Sequence, residues 1–126
     1  MNAQDAGNTI WALGTSGWAL PGDMAALLRS LLLLALQQGN ERGVSNSLSG
    51  WAKRGLALND ELAAAADAAV EPTAATMNAL DVRQVQQAST ASGWKLGAKA
   101  AAALSARERA LKAQGQWGTQ PPSCGA

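Results

Sequence analysis

Apolar positions form one dense block near the N-terminus and thin out towards the C-terminus. From Met24 to Leu36 only Arg29 and Ser30 are polar, and the run from Leu31 to Leu36 is unbroken. Such a run wraps most of a helix's circumference, so it predicts a helix over 24–38 buried in protein or in lipid. Asp23 stands where an N-cap is needed, and Gly39 where the helix should stop. Upstream, residues 1–9 are small and polar and predict an extended arm. Residues 10–22 (IWALGTSGWALPG) are apolar but broken by Gly14, Gly17, Pro21 and Gly22, which predicts a loop carrying tryptophan anchors.

Downstream, GNERGVSNS (39–47) has turn composition. A second helix is predicted from about Ser47 to Val70, weakened at Gly50 and Gly55. Asn59 can restart it as a simple N-cap, and Glu71-Pro72 should end it, because the residue before proline disfavours the α region. A third and longest helix is predicted from near Thr73 to Ala113, ended by Gly115. Its middle, 81–93, is polar on most faces. Its end places Leu96, Ala100, Leu104 and Leu111 on one side and Lys95, Lys99 and Arg109 towards the other. The expected fold is therefore all-α. Three helices of increasing length, with Gly/Trp-containing loops, form a body over 23–114. It is flanked by an arm and Trp-containing loop (1–22) and a flexible tail (115–126).

Composition sharpens this picture. The chain has 29 Ala and 17 Leu but only 4 Val, 1 Ile, and no Phe or Tyr. Helix formers dominate and strand formers are scarce. Alanine buries little area, so thin helices must pack closely or finish their burial against other subunits. Charge is uneven: residues 1–72 hold 7 acids and 4 bases, whereas residues 73–126 hold 2 acids and 6 bases. That asymmetry suits head-to-tail contact between subunits or docking on an anionic surface.

Candidate chemistry is sparse. Histidine is absent and Cys124 is the single cysteine, so no metal site, cofactor site or internal disulfide is expected. Ser92-Gly93-Trp94-Lys95 fits the S-x-x-K pattern of serine acyl-enzymes, but the companion S-D-N and K-T-G motifs are missing. No catalytic residue and no small-molecule substrate is therefore expected. Gly93, Gly97 and Ala101 would form a small-residue row if they shared a helix, permitting close backbone approach.

The most distinctive motif is Ser-Gly-Trp, at Ser16-Gly17-Trp18, Ser49-Gly50-Trp51 and Ser92-Gly93-Trp94. Tryptophan is an interface anchor, and a preceding glycine lets another backbone approach it. Trp11, Trp18, Trp51, Trp94 and Trp117, with Gly93 and Gly97, are thus the candidate interface residues, each indole plugging a neighbouring groove. The unequal spacings of the three copies, 33 and 43 residues, argue against a regular solenoid. Lys95, Lys99, Arg107, Arg109 and Lys112 are candidate contacts to an anionic surface, lipid or nucleic acid. Residues 10–36 are a candidate membrane-inserting segment, with Trp11 and Trp18 suited to the interface, although 24–36 alone is too short to span a bilayer. The N-terminus lacks a basic stretch, so no signal peptide is expected.

An Ala/Gln/Ser-rich helical body, an apolar stretch over 10–36, no histidine and no enzyme motif together resemble the small internal or ejection proteins of short-tailed bacteriophages. The resemblance implies a virion component that assembles with copies of itself and with other virion proteins. It also implies a role in carrying DNA across the host envelope without sequence-specific binding. The chain is shorter than many such conduit proteins, which favours an accessory or adaptor role. Expected function is thus a non-catalytic assembly subunit. A membrane-active protein inserting 10–36 is the first rival, and a nucleic-acid-binding module using 95–112 the second.

Overall fold

The computed structural model describes residues 2–16 and 24–118. Among these the chain is all-helical: α1 (Ala3–Ser16), α2 (Met24–Gln38), α3 (Glu41–Lys53), α4 (Asp60–Thr73), α5 (Ala79–Ser92) and α6 (Ala98–Ala113), with a 3₁₀ turn at Ala74–Thr76. The three-helix expectation is thereby corrected to six helices of similar length. Asp23, the proposed cap of α2, lies outside the described residues, as do Trp18 and the tail from residue 119.

Each correction has a local cause. The expected arm and loop over 3–16 are helix α1, because its glycines sit where another helix packs closely, leaving no room for a side chain at Gly14 and only a tight fit at Gly7. A Cβ on Gly14 would stand 2.3 Å from the Gly50 carbonyl oxygen, and one on Gly7 would be 3.3 Å from that of Gly43. Since 7 meets 43 and 14 meets 50, α1 and α3 run parallel. The expected turn over 39–47 is instead the start of α3, capped by Asn40 accepting from the Gly43 N–H at 2.9 Å. The second predicted helix divides at Gly55, whose φ of 72° ends α3, and restarts with Asn59 accepting from the Leu62 N–H at 2.8 Å. Pro72 fits within the last turn of α4.

The long third helix is two helices. Gly93, at φ 69°, closes α5 in the left-handed region that only glycine enters cheaply. Gly97 then caps α6, its N–H donating to Asp67 Oδ1 of α4 at 3.0 Å. Gly93, Gly97 and Ala101 therefore share no helix face, and the small-residue row does not exist. The stop near Gly115 is as expected: α6 ends at Ala113 and the Gln116 N–H reaches back to the Leu111 carbonyl at 2.8 Å.

The helices stack in two layers. α1, α3 and α5 pack in sequence along one layer, α2, α4 and α6 along the other, and each odd helix pairs with the even helix that follows it. Helix starts repeat with this arrangement: Glu41 to Ala79 and Asp60 to Ala98 are both 38 residues. The caps Asn40, Asn59, Asn78 and Gly97 recur every 19. The chain is a tandem array of helical hairpins, which corrects the argument against a solenoid. The tryptophan motif misled because its middle copy is out of register. The repeating segment is Gly17-Trp18-Ala19-Leu20, Gly55-Leu56-Ala57-Leu58 and Gly93-Trp94-Lys95-Leu96, whereas Ser49-Gly50-Trp51 lies inside α3.

The core lies between the layers. Leu28, Leu32 and Leu36 of α2 meet Val44, Leu48 and Trp51 of α3, Leu62 and Val70 of α4, Val82 and Val85 of α5, and Leu104 and Leu111 of α6. α5, whose sequence reads as polar on most faces, buries a narrow stripe of Val82, Val85 and Ala88.

Candidate interaction surfaces

The corner between α4 and α5 holds the hairpins in register. Asn78 and Asp81 form a capping box: the Asp81 N–H donates to Asn78 Oδ1 at 2.8 Å, and the Asn78 N–H to Asp81 Oδ2 at 3.3 Å. Asp81 is buried, and its Oδ1 also accepts from Ser45 Oγ at 2.9 Å and pairs with Arg42 Nε at 3.3 Å. Ser45 and Asp81 are 36 residues apart, the same offset as Gly7 and Gly43. A hydrogen bond thus replaces a glycine contact at the equivalent place between the next two repeats. Thr76 Oγ1 donates to Glu41 Oε2 at 2.6 Å. Arg107 Nε donates to the Met77 carbonyl at 2.7 Å.

Beyond α6 the chain folds back on the last hairpin. Arg83 stacks on the Trp117 ring, 4.4 Å from its centroid, and donates to the carbonyls of Trp117 and Gly118 at 2.8 Å each. Lys112 Nζ lies 5.4 Å from the same ring and pairs with Glu108 at 2.8 Å. Gln86 Nε2 donates to the other Glu108 oxygen at 2.8 Å. The Lys112 and Gln86 hydrogen bonds hold the Glu108 carboxyl below its ordinary pKa, Lys112 contributing most. This end of the array is closed by polar contacts. Among the described residues the opposite end shows no such closure. Leu27 of α2 is 51% exposed, and Leu31 and Leu34, one and two turns on along the same side, are partly exposed. Among the described residues the expected helix buried all round therefore has one half-exposed leucine, Leu27, in line with the partly exposed Leu31 and Leu34, of which Leu31 also packs against the core.

The open face of the α1/α3/α5 layer, opposite the core, has a different character. It carries Gln4, Asn8 and Trp11 from α1, Arg42, Asn46 and Lys53 from α3, and Leu80, Gln84 and Gln87 from α5. Trp11 is 40% exposed, with Lys53 Nζ 5.9 Å from its ring, and Leu80 is 52% exposed.

The candidate interface residues fare unequally. Trp51 and Trp94 are buried within the chain's own core, in place of the expected groove on a neighbour. The Trp51 indole N–H donates to the Ala57 carbonyl at 3.2 Å and closes the loop after α3. The Ser89 hydroxyl donates to the Trp94 carbonyl. Gly93 and Gly97 serve as caps. Trp11 stays at the surface, and Trp117 is partly buried against the last hairpin.

Of the five candidate cations, Arg107 and Lys112 are engaged within the fold, while Lys95, Lys99 and Arg109 are exposed. In the apolar stretch 10–36, Ile10, Leu28, Leu32 and Leu36 face the core. No helix among the described residues is long and apolar enough to cross a membrane. The Ser92 hydroxyl donates to the Ala88 carbonyl at 2.6 Å, and Lys95 is exposed. Among the described residues no group of three acidic, cysteine or histidine side chains is placed to hold a metal.

Sequence reasoning missed Asp67, Asp81, Arg83 and the leucine edge. Asn78-x-x-Asp81 was a readable cap signal, because Asp at N3 can close a capping box as Glu or Gln does. The edge had none, since every side of α2 is leucine-rich. Compared with family models, curated proteins and solved structures, the chain matches none of them.

Proposed function

We propose that this chain is a non-catalytic subunit of a larger assembly, docking through the open end of its helical array. The observation that carries the reading is the Leu27–Leu31–Leu34 edge of α2, half-exposed at Leu27 and partly exposed beyond it among the described residues, at one end of a stack whose other end is closed by Arg83, Trp117 and Lys112. Helical arrays bury their apolar faces by stacking a neighbour, so a partly exposed leucine edge is a place for another helix. A second copy is the simplest occupant, because two α2 edges can meet about a two-fold axis with each leucine row facing the other. In a virion, the setting that the compositional resemblance implies, such a subunit would be a docking component.

The test is absolute mass by light scattering after size exclusion, without detergent. The native chain is expected to run as a defined oligomer, and Leu27→Glu with Leu34→Glu as a folded monomer. A native monomer near 12.8 kDa would overturn self-assembly through this edge.

A further inference from the structure

The joint between successive repeats recurs at a fixed offset. Gly7 of α1 faces Gly43 of α3, and Ser45 of α3 donates to Asp81 of α5, 36 residues apart in both cases. Gly7, Ser45 and Arg83 are themselves successive equivalents, each 38 residues from the next. Among the described residues Arg83 has no following helix to meet. It meets the segment after α6 instead, donating to the carbonyls of Trp117 and Gly118, 34 and 35 residues on. At nearly the same offset, then, a short stretch of chain fills the seat that a following repeat would take.

The first repeat presents the other half of such a joint. The Asp5 N–H donates to Asn2 Oδ1 at 2.8 Å, as the Gly43 N–H does to Asn40 Oδ1 at 2.9 Å and the Asp81 N–H to Asn78 Oδ1 at 2.8 Å. Asp5 is therefore the equivalent of Asp81, which is bonded by Ser45 and Arg42 of the repeat before it. Asp5 is exposed, and its carboxylate makes no hydrogen bond or ion pair with another described residue. The leucine edge of α2 has the same standing. Leu31 is the equivalent of Ala69, which is buried, and of Arg107, which reaches the Met77 carbonyl. Leu27, half-exposed, is the equivalent of Ala65 and Ala103, which pack against the core. The edge is thus the side that each later even helix turns to its predecessor.

The two ends of the array match each other. Arg83 and Asp5 carry opposite charges at the places that Ser45 and Asp81 join inside the array. Arg42 shows that an arginine of one repeat reaches this acid of the next, its Nε lying 3.3 Å from Asp81 Oδ1. A second copy stacked on α5 and α6 by the repeat's own step brings its Asp5 to Arg83 and its Leu27 and Leu31 against α6. Such a contact joins two different surfaces, so it passes from copy to copy and does not close in a dimer about a two-fold axis. Trp117, held between Arg83 and Lys112, stands in its way.

We infer that the segment 115–118 is a plug: it occupies the seat for the α1/α2 end of a second copy and so holds head-to-tail stacking in check. The inference rests on the reading of the α2 edge as a docking edge, and it supplies the surface that edge meets when the plug is displaced. With the plug seated, the edge is left to pair about the two-fold axis. With the plug out, copies stack in series.

The experiment follows mass against concentration, by light scattering, for the full chain and its Trp117→Ala variant, with circular dichroism as the check on fold. The native chain is expected to hold one mass, and the variant to climb without a plateau. Should Trp117→Ala lose helicity, Trp117→Lys decides instead, because a third cation beside Arg83 and Lys112 expels the segment. Asp5→Lys in the unplugged chain should raise the concentration needed for growth about tenfold or more. Arg83→Asp added to that chain should restore growth, since the charge pair is then reversed. A folded, unplugged chain that keeps the native mass overturns the inference. Growth indifferent to Asp5→Lys does so too, because it would be non-specific aggregation. A native monomer whose unplugged form grows removes the two-fold pairing and supports the plug, whereas a native oligomer unmoved by unplugging does the reverse.

Discussion

Two glycines of α3 look alike in sequence and stand in opposite surroundings. A Cβ on Gly50 would lie 2.5 Å from the Ile10 carbonyl oxygen and 2.6 Å from the Trp11 Cα, both backbone atoms that cannot move without shifting α1. A Cβ on Gly43 would meet only Asn40 Oδ1, at 3.5 Å, which is ordinary contact. Gly50→Ala should therefore cost about 3 kcal/mol by forcing the two helices apart. Gly43→Ala should be neutral or gain up to about 1 kcal/mol, because alanine is the better helix former. Urea midpoints at unchanged slope measure both. Equal losses at the two sites would mean that α1 does not approach α3 as closely at Gly50 as described. The same contact explains why helix propensity misjudged α1. The roughly 1 kcal/mol penalty of an interior glycine is offset here by the packing that its missing side chain permits.

The helices most legible in the sequence are those whose ends carry their own chemistry. α2 could be read from its leucine run and Gly39, the start of α4 from Asn59, and the end of α6 from Gly115. α3 could not, because Asn, Ser and Gly also make turns. Ser47 donates within α3 to the Val44 carbonyl at 3.0 Å, and Ser45 finds its long-range partner, Asp81, only in the fold. The break between α5 and α6 could not be read because Gly93 fits a small-residue row as readily as a left-handed cap. The repeat was hidden because its equivalent positions conserve role and not identity. Leu28, Ala66 and Leu104 are 38 residues apart and all buried, while Gly7–Gly43 and Ser45–Asp81 do one job with different atoms. Asp81 shows how much one such joint carries. Asp81→Ala leaves the Asn78 cap of α5 but removes the reciprocal bond of the capping box, and strips the buried Ser45 hydroxyl and Arg42 of their shared acceptor. A loss of about 2–4 kcal/mol is expected. Thr76→Val, which removes an exposed hydrogen bond to Glu41, should cost no more than about 0.5 kcal/mol. Thermal melts of the pair decide it, and similar small shifts would deny Asp81 its role as the joint.

An array held by neighbour contacts is only as closed as its ends, because each hairpin is supported by the next and the last has one neighbour. Here the last hairpin is closed by Trp117 between Arg83 and Lys112, with Lys112 itself held by Glu108. The depressed Glu108 carboxyl gives this closure a pH dependence of definite sign. A carboxyl whose folded pKa lies below its unfolded value stabilises the fold fully above the unfolded value, about 4.3 for glutamate. That contribution is lost as pH falls through the lower, folded value. Between neutral pH and about pH 5 the Trp117 environment should therefore stay constant. As pH falls through that lowered folded value Glu108 takes up a proton, Lys112 loses its partner, and the ring contact should loosen ahead of global unfolding. The Trp117 indole N–H resonance followed through an acid titration reads this directly. Glu108→Gln keeps the hydrogen bond to Gln86 geometrically available but removes the charge, so it should flatten the local transition and start from the loosened position at neutral pH. A resonance that moves only with the global transition, in both chains, would show that Trp117 is held by Arg83 alone, whose two carbonyl bonds do not titrate with Glu108.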